Sequence, residues 1–203
     1  MTSRFSRVLF ILLSSALVSA CATMSPEECK LANWHDVGLR DGLEGKSISV
    51  LDARTKDCAE AKVPVDAKTY LSGRELGLKT FCRVENALPL GLNGGSYEGV
   101  CPPWVDQEFR WRFQIGHAVY EGRNEVSRLD GRIASAERRL SASKHDEEKR
   151  LREAKTDEDR KRIRREIDEQ QHRLREELSD LDRQLRRARD ELRNAEGAMY
   201  GVR

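Results

Sequence analysis

Cys29, Cys58, Cys82 and Cys101 are the side chains with the most definite chemistry in this sequence of 203 residues, and they follow a fifth cysteine, Cys21. Four thiols can close two disulfides or hold a metal. Structural zinc sites are built from close pairs such as Cys-x-x-Cys, often with histidines nearby. No such pair exists here, and the four histidines are scattered. In an oxidising compartment an even set of thiols pairs, and three pairings are open. Acid–base candidates are fewer. His35-Asp36 and His145-Asp146 are sequence neighbours, and neighbours on a helix point about 100° apart, which is poor geometry for proton transfer. Gly91-Leu92-Asn93-Gly94-Gly95-Ser96 offers backbone amides but no following helix or basic residue, so it reads as a turn-rich loop. No P-loop, Gly-x-Ser-x-Gly, His-Glu-x-x-His or dinucleotide fingerprint is present. The expectation is a protein that is not an enzyme, with no catalytic residue, no cofactor and no metal.

Cys21 stands apart from the other four. A basic start (Arg4, Arg7), an apolar stretch from Val8 to Val18 and small residues before Cys21 have the layout of a secretory signal, too short to span a bilayer comfortably. Val18-Ser19-Ala20-Cys21 resembles a lipobox, which implies lipidation of the Cys21 sulfur, cleavage after Ala20 and acylation of the new amine. Two or more chains on one residue anchor a protein firmly where one does not. Ala22, in the position where aspartate retains such proteins at the inner membrane, implies an outer-membrane location facing the periplasm. The alternative is an ordinary signal cut near Ala20 that leaves Cys21 a free thiol.

The elements that must position the remaining cysteines divide by composition. All five prolines and all three tryptophans precede residue 112, while Glu121 to Met199 contains no aromatic residue, proline or cysteine. The expected organisation is a signal over 1–20, a lipid-anchored N-terminus over 21–26, a helical domain over 27–122 and a charged coiled-coil tail over 123–203. Helical patterning is expected over 27–44, 48–61, 66–82 and from 103 onward. With neighbouring helices antiparallel, Cys29 meets Cys58 and Cys82 meets Cys101. The domain also repeats an aromatic followed by glycines or small residues at helical spacing: Trp34, Gly38, Gly42; Tyr70, Gly73, Gly77; and Phe113, Gly116. Glycine within a helix costs up to about 1 kcal/mol relative to alanine, so its recurrence reads as close helix packing, with a ligand groove as the other reading.

The ordered set Cys29, Trp34, Gly38, Asp41-Gly42, Gly45, Cys58, Tyr70, Gly73, Gly77-Leu78, Phe81-Cys82, Gly91, Gly95, Tyr97, Val100-Cys101-Pro102 and Gly116 resembles the domain-of-unknown-function family number 2799 of small proteobacterial lipoproteins. The resemblance spans about residues 24 to 122. It implies a secreted or lipid-anchored envelope protein and carries over no reaction or substrate.

From Trp104, the positions Trp104, Glu108, Trp111, Ile115, Ala118, Gly122, Val126, Leu129, Ile133, Ala136 and Leu140 keep steps of three and four, so the last helix of the domain is expected to continue into the tail. Leu174, Leu178, Leu181, Leu185, Ala188, Leu192 and Ala195 form a second seam. An antiparallel hairpin turning near Ala154 to Thr156 would set Ile133 opposite Leu178, Val126 opposite Leu185 and Val119 opposite Leu192. A shorter register would pair Leu140 with Ile163, and Ser143 to Asp146 is a second candidate turn. The competing form is one continuous helix dimerising through its seam. A capping signal at Thr156-Asp157-Glu158-Asp159 favours the hairpin. The expected fold is therefore all-α: a small disulfide-stapled helical domain followed by a long antiparallel helical hairpin.

Net charge is +2 from 37 basic and 35 acidic residues, a mixed-sign surface that argues against a nucleic-acid partner. Arg160, Lys161, Arg162, Arg164 and Arg165 are locally basic and could touch anionic headgroups or cell-wall polymer; a solvated face is the plainer reading. The functional expectation is a non-enzymatic, lipid-anchored envelope protein that meets a protein partner or itself through the coiled-coil tail. Its rivals are a small-ligand-binding module using the glycine–aromatic grooves and an envelope hydrolase using His35 or Asp36.

Overall fold

The computed structural model describes residues 23–201; the signal segment and Cys21 lie outside the described residues. Among the described residues the regular structure is helical throughout, with no strand. The chain forms two compact units. The first runs through Arg83 and regains 97–106, and the second combines 84–96 with 107 onward.

In the first unit, helix α1 (Pro26–Leu31) opens with a capping box: the Ser25 hydroxyl accepts from the Glu28 amide, and the Glu28 carboxylate accepts from the Ser25 amide at 2.7 Å. Proline at its first position suits a helix start, where no amide partner is needed. The expected helix over 27–44 is broken at Ala32-Asn33, because the Asn33 side chain accepts from the amides of His35 and Asp36 and starts helix α2 (Trp34–Leu43). Helix α3 (Ser49–Glu60) and helix α4 (Ala67–Phe81) follow, the latter capped by Asp66. Disulfides join Cys29 to Cys58 and Cys82 to Cys101. Met24, Cys29, Trp34, Leu51, Cys58 and Tyr70 share one buried cluster, flanked by Ala32, Val37, Val63 and Val65. Gly45 has φ +66°, and a Cβ there would lie 2.2 Å from the Phe81 ring, so both backbone and space demand glycine.

The second unit begins with a short 3₁₀ turn, Val84–Asn86, and helix α5 (Ala87–Leu92). The two compact units do not divide at residue 122. The segment read as a loop is helical up to Leu92, with Pro89 tolerated in its first turn, and it packs on the long helix α6 (Pro103–Glu153). A Cβ on Gly91 would lie 2.2 Å from the Phe113 carbonyl oxygen, and one on Gly116 2.4 Å from that of Leu88. The start of α6 also differs from the expected seam. Trp104 and Trp111 are 84% and 51% exposed, while Phe109, Gly116 and Val119 are buried. Two apolar stripes with the same spacing run along this stretch, and the one carrying Phe109 is turned inward.

From Gly122 onward the expected seam is the buried one. Helix α7 (Asp157–Tyr200) returns along α6 after a break at Ala154–Thr156, and the Thr156 hydroxyl caps it by accepting from the Asp159 amide at 3.1 Å. The Asp159 carboxylate meets the Thr156 hydroxyl rather than its amide, so the cap is simpler than a full capping box. Leu129, Ala136, Leu181, Leu185 and Ala188 form the hairpin core with Val126, Ile133 and Leu178. Ion pairs cross at Arg123–Glu196 (3.1 Å), Asp130–Arg189 (3.4 Å), Arg139–Glu177 (2.8 Å) and Arg150–Glu166 (2.7 Å). These pairs exclude the shorter register, and α6 runs unbroken through Ser143 to Asp146. Exposed ion pairs contribute at most about 1 kcal/mol each; the apolar seam holds the hairpin and the charges mark its register. A polar layer interrupts the seam, where buried Ser143 donates to Gln170 (3.2 Å) and buried Gln171 to Glu147 (3.1 Å).

Candidate functional site

The glycine–aromatic residues come together, but not as a groove. Helices α2 and α4 cross so closely that a Cβ on Gly38 or Gly73 would lie 2.0 Å from the Tyr70 or His35 carbonyl oxygen. One on Gly42 or Gly77 would lie 2.3 Å from that of Arg74 or Leu39. Each missing side chain is replaced by the facing helix's backbone, so the space expected for a ligand is filled from within the fold. Trp34 and Tyr70 are buried beside this crossing. In the second unit Gly116 and Phe113 serve the same purpose against α5. His35 and Asp36 lie on the exposed face of α2, 3.5 Å apart.

Sequence reasoning missed the polar centre of the first unit. Asp41 on α2 is fully buried and accepts two hydrogen bonds from Arg54 of α3, at 2.8 and 3.0 Å. It also accepts from the Tyr70 hydroxyl of α4 at 2.9 Å and from Lys46 at 3.3 Å. Burial, and then the bond to Asp41, pushes the Tyr70 phenol up to about 12. The Lys46 ammonium, paired with Glu44 at 2.6 Å and also with Asp41, is held above its ordinary value. Both Asp41 oxygens are engaged, so the carboxylate ties three helices together. Removing one partner of a buried pair typically costs about 3 to 5 kcal/mol. The signal was present in the sequence: Asp41 lies three residues after Gly38 and directly before Gly42, on the packed face of α2.

A cleft of about 440 Å³ opens beside the second disulfide, lined by Leu78, Cys82, Val100, Pro102, Trp104 and Val105 among others. Its lining is mainly apolar, and Trp104 stands 84% exposed at its edge. Its frame is rigid: Cys82–Cys101 ties α4 to the 97–106 segment. The Tyr97 hydroxyl donates to Asp106 at 2.5 Å and accepts from the Cys101 amide at 3.3 Å. Periodicity assigns Trp104 to an inward seam, which hides this surface from the sequence.

In the basic run, Arg160 pairs with Asp157 at 3.2 Å and Arg162 with Asp159 at 2.8 Å. Lys161, Arg164 and Arg165 are exposed. Acidic neighbours thus answer part of the local charge. No described helix is long and apolar enough to cross a membrane.

Taken together, fold and site define a disulfide-stapled all-α domain with close glycine helix crossings, joined to an antiparallel helical hairpin. Residues 33–118 match the family model described as Protein of unknown function (DUF2799). The match reaches from the cap of α2 into α6 and leaves most of the hairpin outside. Comparison with curated proteins finds no match, nor does comparison with solved structures.

Proposed function

We propose that this is a lipid-anchored protein of the bacterial cell envelope, held at Cys21 on the periplasmic face of the outer membrane, with a non-enzymatic structural or protein-interaction role. Support for the location is the lipobox-like Val18-Ser19-Ala20-Cys21, with the two disulfides fitting an oxidising compartment. Support for the role is that the packed faces described above meet their partners within the chain. The glycine faces meet backbone, Asp41 is saturated, and the hairpin seam closes on itself.

The observation that carries the interaction reading is Trp104, an aromatic 84% exposed over an apolar cleft on a disulfide-fixed frame. Binding energy at protein interfaces concentrates in such aromatic anchors, with Trp foremost. A photoreactive residue in place of Trp104 in living cells tests it: a discrete envelope protein crosslinked from position 104 supports the role. Adducts absent at 104 but present at Arg162 or Leu178 would return the role to the tail. The second reading, a small-ligand module, now rests on the same cleft instead of the glycine grooves. Recovery of a small molecule on position 104 would favour it.

A further inference from the structure

We infer that the Met24–Leu31 end of the first unit is seated in the headgroup layer of the bilayer that holds Cys21, an inference that rests on the lipid-anchor reading. Thr23 and Met24 are fixed to the domain at this end. One Asp57 oxygen accepts from the Thr23 amide at 2.6 Å, the Thr23 hydroxyl at 2.6 Å and the Met24 amide at 3.2 Å. Met24 is 7% exposed in the core cluster, Ser25 caps α1, and Cys29 is bonded to Cys58. From Thr23 onward the chain is part of the domain. Cys21 and Ala22 connect the lipid to Thr23, and two residues bridge about 7 Å at most.

The polar layer of a bilayer is about 5 to 8 Å thick on each side, the difference between its full and hydrocarbon thickness. A tether of that length holds Thr23 within the layer or at its outer edge. The domain surface around Thr23 therefore lies against the headgroups. Thr23 and Met24 line a cleft of about 440 Å³ together with Leu31, Ala32, Val37 and Arg40. Leu31 is 86% exposed in water, which a bilayer interface would relieve.

The same cleft carries the carboxylates of Glu27, Glu28 and Asp36 together with the exposed Arg40, while Asp41 and Arg54 neutralise one another within it. A lining with both signs complements a zwitterionic headgroup, phosphate toward Arg40 and ammonium toward the carboxylates. It does not complement a purely anionic surface. The occupant is thus the zwitterionic phospholipid layer, and Asp57 is the residue that fixes which end of the domain faces it.

The test places a photoreactive amino acid at position 31 of the full, processed chain in vesicles of zwitterionic phospholipid and weighs the crosslinked product. The expected result is a mass increase of one phospholipid. A ten-residue Gly/Ser spacer inserted between Ala22 and Thr23 has a mean reach of about 17 Å, more than the polar layer, and should reduce that adduct at least about fivefold. If Cys21 is acylated and the adduct at 31 is absent, or is unchanged by the spacer, the seating is wrong while the anchor stands. If Cys21 carries no lipid, the anchor reading fails, and the inference with it.

Discussion

Alanine at Gly73 should destabilise the first unit, while the same substitution at Gly131 should stabilise the hairpin. In helix interiors alanine is favoured over glycine by up to about 1 kcal/mol, so propensity alone predicts a gain at both positions. Packing separates them. A Cβ at Gly73 would sit 2.0 Å from the His35 carbonyl oxygen and 3.0 Å from the Leu39 amide nitrogen, whereas one at Gly131 meets nothing within 4 Å. The first is roughly 1.4 Å short of ordinary contact, and the obstruction is backbone, which cannot swing aside. Relief requires α2 and α4 to separate along a crossing that Gly38, Gly42 and Gly77 also hold close. Overpacking of this kind costs about 1 to 3 kcal/mol, occasionally more. With four contacts sharing the displacement, the net loss should be about 2 to 3 kcal/mol. At about 2 to 4 °C per kcal/mol for a chain of this size, Gly73→Ala should lower the melting temperature by about 5 to 10 °C. Gly131→Ala should raise it by about 1 to 4 °C. Circular dichroism melts of the Cys21→Ser form measure both. Equal stabilisation by the two substitutions would refute the backbone crossing.

Three further outcomes follow from the same packing. Loops of 29 and 19 residues closed by Cys29–Cys58 and Cys82–Cys101 correspond to about 3.5 and about 3 kcal/mol in the chain-entropy model; denaturant midpoints of the two paired Cys→Ala variants should fall accordingly, the first more. Because burial and Asp41 raise the Tyr70 phenol from 10.0 to about 12, the unfolded chain releases that proton first as pH rises. Its stabilising contribution is full below pH 10 and lost between about 10 and 12, so Tyr70→Phe should flatten stability measured across that window. In the hairpin, a Cβ on Gly122 lies 3.3 Å from that of Leu192, close to disulfide reach. Gly122→Cys with Leu192→Cys should therefore form an internal bond that leaves a monomer on a denaturing gel; a crosslinked dimer would mean the seam pairs between chains.

Much of this fold could be read before any coordinates, because its strongest signals are local. Cysteines near the ends of successive antiparallel helices define their own partners, and Thr156 marks a helix start whatever surrounds it. Glycines one turn apart announce a close approach, although only the structure identifies the Tyr70 and His35 carbonyls as the atoms that fill the gap. What escaped depends on contacts remote in sequence. Asp41 finds Arg54 and Tyr70 on other helices, and a periodicity argument places a lone aspartate outside. Pro89 and the glycines at 91, 94 and 95 mimic a loop, yet Gly91 is a helix contact and Gly94, at φ +71°, makes room for the Tyr120 ring. Trp104 was misplaced because α6 carries two equivalent apolar stripes, and spacing cannot tell which is buried. That ambiguity also hides the Trp104 cleft.

The proposed location, the interaction role and the seating of Leu31 all depend on Cys21 being an anchor. The direct measurement is metabolic incorporation of a fatty-acyl probe into the wild-type and Cys21→Ser chains, followed by separation of outer membrane from periplasm. The account predicts probe on the wild-type chain in the outer-membrane fraction and an unlabelled, soluble Cys21→Ser chain. An unlabelled wild-type chain free in the periplasm would contradict it.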